Sequence, residues 1–352
     1  MKYIIASHSF LVLIDFEDDW TIKNYKILNQ GYHFGIALNE NQNQEIEGET
    51  NSVINTDSPG FVAYRGGKNV HEQSDMALWN YKANGELVSN IPLTGKWGDI
   101  HQLASANNGL YLTNTKYNRL IYQESGSSTT HEYIFNGLDY DRNHLNSVFP
   151  CGEQVFVVLH NRAYSESELV VLNHDFKKGF EVEYTFSLWN VGCHNVYIED
   201  TVLLYNASQM HEFVIVDLTR DRVIKRIPFP GWHSKGLSVT DKYIVVGLSE
   251  HAFRDKRSTA QGKIAVIDRQ SFALLEIIDL NFGDLPQPIG NVNEVRCVSG
   301  GELAQARSFR TDINWSKLEF AKRNRLLHYL DRVRISAMLP LRRVKGYVRV
   351  RI

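Results

Sequence analysis

The chain is predicted to be all-β, a six-bladed β-propeller closed by pairing of its N- and C-terminal strands, on three observations. A signature of apolar run, turn and second run recurs six times: LVLIDFEDDWTIKNYKIL (11–28), MALWNYKANGELVSNIPL (76–93), NRLIYQESGSSTTHEYIF (118–135), ELVVLNHDFKKGFEVEYTF (168–186), EFVIVDLTRDRVIKRIPF (212–229) and KIAVIDRQSFALLEIIDL (263–280). The copies start 65, 42, 50, 44 and 51 residues apart, which is blade spacing with insertions. Seventeen Tyr, 17 Phe and 6 Trp against 8 Pro in 352 residues suit many short, buried strands in one large body.

In chain order, each copy supplies the third and fourth strands of a blade. The first copy is preceded only by YIIASHSF, one strand, whereas each other copy follows two. The missing innermost strand is assigned to NEVRCVSG (293–300), which follows the sixth copy and has no outer strands of its own. Sewing the chain ends into one blade removes the free sheet edges that invite aggregation. Residues 1–310 are therefore assigned to the propeller. At the start, Ser7, His8 and Ser9 interrupt the apolar run after Lys2, so this segment reads as strands rather than an export signal. No run of 18 apolar residues predicts a spanning helix. Cys151, Cys193 and Cys297 are odd in number, far apart and without a C-x-x-C pair, which points to a reducing compartment. A cytoplasmic location is expected.

Aligning the starts of the innermost strands gives GYHFGIAL, DIHQLASA, NHLNSVFP, GCHNVYIE, WHSKGLSV and NVNEVRCV. Five carry a histidine, His33, His101, His144, His194 and His233, and the sixth carries Asn293; the chain has only 13 histidines. These side chains are expected on one face, around the central axis. In a four-stranded blade the second strand returns to the face where the innermost strand begins, so the loops between second and third strands belong to that face too. They bring His8, Arg65, Asn114, His160 with Arg162, Asn206 and the run 249–261, which holds Glu250, Arg254 and Arg257. The expectation is a bowl rich in His, Asn, Arg and Lys, with few carboxylates besides Glu250 and Asp255.

Such a bowl suits two chemistries. Neutral imidazoles facing one axis, His101, His144, His194 and His233, could bind one divalent transition metal such as iron, zinc or manganese. Alternatively the imidazoles serve as general acids and bases, with Lys235, Arg254 and Arg257 holding negative charge. The first arrangement is similar to that of carotenoid-cleaving oxygenases, seven-bladed propellers with four axial histidines. The second is distantly similar to that of arylsulfotransferases, six-bladed propellers with a nucleophilic axial histidine. The chain has no G-x-S-x-G elbow, no H-E-x-x-H helix and no phosphate-binding loop in its proper context, which argues against serine-hydrolase, zincin and nucleotide-binding classes.

One stretch carries a more specific resemblance. HSKGLSVTDKYIVVGLSEHAFRDKR (233–257), through Lys235, Gly236, Leu237, Tyr243, Val246, Gly247, Leu248 and Ser249, resembles a bacterial family of uncharacterised propeller proteins with a basic-Gly-Leu element and a Val-Gly-Leu-Ser turn. The resemblance implies the fold and gives weight to this blade without naming a substrate. Physically, Gly236 is expected to permit close backbone approach at the axis, and Gly247 to do so where its strand turns.

From residue 311 the character changes. Residues 311–352 hold 11 Lys and Arg against 3 Asp and Glu, a net +8 that leaves −10 on the remainder. Leu318, Leu326, Leu327, Leu330 and Val333 suggest a basic amphipathic helix, capped by Asp312 or Asn314. It is expected to lie on anionic lipid at the inner membrane face, to pack on the propeller, or to meet a protein partner. The acidic body and the lack of a recognition motif speak against nucleic acid.

The function expected is that of an enzyme, a lyase, hydrolase or transferase. Its axial pocket would take a small anionic or saccharide substrate, such as an intermediate of envelope polysaccharide metabolism. His101, His144, His194, His233 and Lys235 are the catalytic candidates. His33, Arg65, Asn114, His160, Arg162, Asn206, Glu250, Arg254, Arg257 and Asn293 are the binding candidates. The alternative is a non-catalytic module presenting the same bowl to a glycan or protein and docking through its tail.

Overall fold

Strong β-formers placed in runs of six to nine residues between turn signals pair locally into meanders, and six such meanders make up the body. The computed structural model describes residues 1–39, 60–66, 76–188 and 190–299, together with Ile313, Trp315 and Leu318. In chain order the strands are β1 (Lys2–Ser7), β2 (Phe10–Phe16) and β3 (Ile22–Gln30) of blade one; β4 (His33–Asn39), β5 (Gly60–Arg65), β6 (Ala77–Lys82) and β7 (Leu87–Pro92) of blade two; and β8 (Ile100–Ala106), β9 (Gly109–Asn114), β10 (Arg119–Glu124) and β11 (Thr130–Ile134) of blade three. Blade four holds β12 (Leu145–Cys151), β13 (Gln154–Leu159), β14 (Glu168–Asp175) and β15 (Gly179–Ser187), and blade five holds β16 (Cys193–Glu199), β17 (Val202–Ala207), β18 (Glu212–Asp217) and β19 (Arg222–Pro228). Blade six holds β20 (Trp232–Val239), β21 (Tyr243–Glu250), β22 (Gly262–Asp268) and β23 (Leu274–Asp279), and β24 (Val292–Cys297) completes blade one.

Every sheet has four antiparallel strands, and blade one runs β24-β1-β2-β3. The ring is therefore closed by β24 against β1, with Tyr3 opposite Cys297 and Ile5 opposite Val295. This is the six-bladed, end-sewn propeller that the repeat predicts.

The middle strands are apolar almost without interruption because both of their faces are covered by neighbouring blades. EFVIVD of β18 is buried at all six positions, and QVFVVL of β13 at five. The outer strands alternate instead, as in LVSNIP of β7. Apolar seams fill the gaps between blades. At the junction of blades six and one, Tyr3, Phe16, Trp20 and Tyr243 make edge-to-face and tilted ring contacts around the closure. At the largest seam, across blades four to six, Ile313 and Trp315 are buried with the blade residues, and Trp315 packs its ring on Phe156 and Phe186. The start of the basic segment is thus docked on the propeller. The helix expected beyond it lies outside the described residues, as does most of the polar stretch 39–58. Among the described residues, no helix is long and apolar enough to cross a membrane.

Candidate functional site

Each innermost strand is irregular where it begins, and these irregularities build the site. Pairing skips between His33 and Ile36, Ile100 and Leu103, Leu145 and Ser147, His194 and Val196, and Ser234 and Leu237, while in blade one it skips Asn293. A bulge frees residues from the ladder and re-aims their side chains. The residues freed are Phe34 and Gly35, His101 and Gln102, Asn146, Asn195, Lys235 and Gly236, and Asn293. Six bulges at one level of one axis give an upper ring of side chains and, one residue deeper, a floor.

The floor is a polar plug centred on Glu294, which is fully buried. Its carboxylate accepts hydrogen bonds from Gln102 Nε2 (2.8 Å), Asn195 Nδ2 (3.2 Å) and the Leu237 amide (3.1 Å), and lies 3.5 Å from the Arg296 guanidinium. Gln102 in turn accepts from the Val148 amide, and Arg296 donates to Leu237 O and Ile36 O. All six blades are tied together. Burial raises the Glu294 carboxyl above its ordinary value, opposed by Arg296.

Above the floor runs an arc of rings in edge-to-face contact. Ring centroids are 5.1 Å apart for Phe34 and His101, 4.9 Å for His101 and His144, 5.2 Å for His144 and His160, and 4.9 Å for His160 and His194. Behind Phe34, His8 continues the arc at 5.7 Å. Two imidazoles are oriented by partners at Nδ1. His144 is held by Asp141 (3.0 Å), which also pairs with Arg162. His194 is held by Ser208 Oγ (2.8 Å) and Gly192 O (3.0 Å). Because a carbonyl and a carboxylate only accept, Nδ1 carries a proton in each. Burial, before any charge, drives His101, His160 and His194 well below the ordinary imidazole value, so they are neutral at pH 7. Burial opposes ionisation of Asp141, yet His144 and Arg162 hold its carboxyl below the usual range.

Lys235 faces this arc from blade six. Its bulge is pinned by the Gly236 amide donating to Asn195 Oδ1 (2.8 Å), by Asn206 Nδ2 donating to Gly236 O (3.1 Å), and by Glu294 under Leu237. Gly236 has φ +78°, and a Cβ there would lie 3.0 Å from the Glu294 backbone, so the close approach read from the sequence is what the glycine provides. Gly247 lies within β21 rather than at a turn, and a Cβ on it would strike the Lys235 carbonyl at 2.2 Å. Val-Gly-Leu-Ser is accordingly strand, and its glycine makes room for the bulge. Half-buried and facing Arg257, Lys235 is lowered to about 7, by burial first and Arg257 second. Lys235 and Arg257 also bear on His8, which burial and these cations lower to about 3.

The remaining candidates divide. His233 is turned away from the arc into a second group, with His211 at 5.0 Å and His251 stacked at 4.6 Å. His33 is fully buried against Asn29 and Arg65, and Phe34 stands in the arc in its place. Arg65, at the end of β5, lies over Trp79 of the same blade. Asn114 clips the 95–99 loop through Gly98 N and Lys96 O, and Asn206 supports the Lys235 bulge, so both are buried supports. Asn293 donates to His33 O and His8. Glu250 and Arg254 are exposed on the rim, where Arg254 acts on both Asp99 and His8. The expected scarcity of carboxylates is corrected by Asp99 and Asp141, which flank His144. Among the described residues, no three His, Cys, Asp or Glu side chains converge as metal ligands would. Of the four imidazoles expected to share a metal, His101, His144 and His194 lie along the arc and His233 lies in the second group.

Sequence reasoning missed Asp141, Gln102, Asn195 and Glu294. A signal for them exists: Asp141 precedes His144 by three residues, and the other three each follow directly on an aligned His or Asn in an otherwise apolar strand.

No protein-family model matches the chain. No curated protein matches it significantly either. Among solved structures, it is similar to a chain of the nidogen/laminin complex at 9% identity and a TM-score of 0.56, covering 84% of this chain and 97% of that one. It is also similar to a protein of unknown function from Bacteroides caccae at 11% identity and a TM-score of 0.53, covering 84% and 98%. At such identities these likenesses are of fold.

Proposed function

We propose that the bulge-lined face is the active site of an enzyme that acts on a small anionic or saccharide substrate by imidazole acid–base chemistry. The observation that carries this reading is the Asp141–His144 pair within an arc of imidazoles on which the charge of Lys235 acts. His144, oriented by a carboxylate, is the base. Lys235, lowered to about 7, exchanges a proton near neutral pH and is the matching acid. His101, His160 and His194 bind and orient, and Arg257 offsets negative charge that develops on the substrate. The acid–base version is preferred to a metal-dependent one because Lys235 and Arg257 set two basic side chains beside the imidazoles, where both act on His160. Kinship with the bacterial propellers that share the Lys-Gly-Leu element belongs to this proposal and adds no substrate to it.

The test is turnover of a panel of p-nitrophenyl glycosides, uronides, phosphates and sulfates by the untagged full chain. His144→Gln is expected to lower kcat by about 10²–10⁴-fold with an unchanged melting temperature. Full activity in that variant, or binding of panel compounds without turnover, would overturn the catalytic reading. The second outcome is that of a binding module.

A further inference from the structure

The largest exposures of big apolar side chains in the described residues are those of Tyr164 (62%), Phe253 (62%) and Tyr140 (56%). All three lie on the loops of the site's face: Tyr140 between β11 and β12, Tyr164 between β13 and β14, and Phe253 between β21 and β22. The other exposed apolar residues are mostly on outer strands, such as Val88, Ile224 and Leu275. Three such rings on the loops of one face are candidates for a recognition surface.

The loops that carry the two tyrosines are joined. Asp141, next to Tyr140, pairs with Arg162, two residues before Tyr164. Beneath them an asparagine relay fixes the backbone: Asn118 Nδ2 donates to Asn143 Oδ1 (3.0 Å), Asn143 Nδ2 to Asn161 Oδ1 (3.1 Å), and the Asn161 amide to Asn143 O (2.7 Å). The Tyr164 amide then closes a turn on Asn161 O (3.0 Å). Both rings thus stand on a platform ordered before any ligand arrives, and it is continuous with the Asp141–His144 pair. Phe253 adjoins Arg254, whose charge reaches Asp99 and His8.

Flat apolar rings at a rim, with Lys235 and Arg257 in the bowl beside His160, suit an acidic sugar. Sugar rings present apolar C–H faces to aromatics, and an acidic sugar adds a negative group for the centre. We infer that the site takes an acidic oligosaccharide of several residues, with Tyr140 and Tyr164 stacking the sugar units beyond the central one and Lys235 and Arg257 receiving the acidic group. The inference rests on the proposed site and extends it from a small substrate to a chain with rim subsites.

The experiment is calorimetric titration of the full chain with glucuronate, with uronate oligosaccharides of two to six residues, and with neutral cello-oligosaccharides of equal length. Affinity is expected to rise with uronate length, and Tyr140→Ala with Tyr164→Ala to cost about five- to tenfold each for the long oligomers and nothing for glucuronate. Lys235→Met is expected to weaken every acidic ligand, while Tyr184→Ala, on an outer strand, serves as the control. Equal affinity for all lengths, equal binding of neutral chains, no binding of the uronate series, or unchanged binding in the double tyrosine variant would each overturn the inference. Length-dependent binding without turnover would sink the catalytic reading and leave this one standing.

Discussion

Acid should destabilise this protein well before its carboxylates titrate, and the size of the effect follows from buried imidazoles. His8, His33, His174 and His194 are all less than a tenth exposed. Burial is the leading cause in each: it lowers His8 and His33 to about 3 and His174 to about 4, and holds His194 well below the ordinary 6.5. A folded value below the unfolded one means that the unfolded chain binds more protons below pH 6.5, so stability falls as the pH falls. At pH 5.5 each such group costs on the order of 1 kcal/mol, and the four together several kcal/mol, comparable with the roughly 5–15 kcal/mol by which domains are stable. Urea unfolding at pH 7.5, 6.5 and 5.5 measures this directly. His174→Gln, remote from the proposed site, should flatten the pH dependence by one group's share, on the order of 1 kcal/mol at pH 5.5. A change under about 1 kcal/mol between pH 7.5 and 5.5 would refute the reasoning, because no arrangement of four neutral buried imidazoles is that insensitive.

Two further outcomes are expected. Lys235 has a folded value of about 7 against an unfolded value near 10.4, so the unfolded chain holds the extra proton between those limits and stability rises with pH across them; Lys235→Met should be more stable than wild type at pH 7, with the gap closing as the pH approaches 10.4, and a constant gap in urea unfolding would contradict the assignment. Glu294→Ala leaves Arg296 and two amide side chains without their buried acceptor and should cost about 3–5 kcal/mol, read as a lower urea midpoint; a loss under about 1 kcal/mol would mean that the axial plug does not hold the blades together.

The fold was legible because its determinants are local and repeated. Runs such as EFVIVD and KIAVID announce two-sided burial, and the one-strand deficit before residue 11 requires the partner that β24 supplies. The site was legible only in part, because a bulge of one or two residues decides where a side chain points. His33 and Phe34 are neighbours, yet the bulge sends Phe34 to the axis and leaves His33 between blades. His233 sits two residues before Lys235, outside its bulge, and turns to His211 and His251 instead. Asp99 and Asp141 reach the bowl from the blade-connecting loops, which carry no repeat by which to align them.

The same irregularity accounts for the coexistence of a rigid floor and reactive groups one residue apart. Where a bulge frees two residues, as in His101–Gln102 and Lys235–Gly236, the first faces the bowl and the second joins the plug. The plug is satisfied by charge and amide hydrogen bonds from all six blades, so it needs nothing from solvent. Lys235 is the opposite case: what acts on it is burial and the like charge of Arg257, with no carboxylate among them. Burial beside a like charge on a pinned backbone makes the protonated form of Lys235 unfavourable, although the plug already closes the axis. An anion placed beside Lys235 offsets that cost on binding. On the proposed reading, the feature of the site that costs stability is therefore also the one that would give it affinity for an anion.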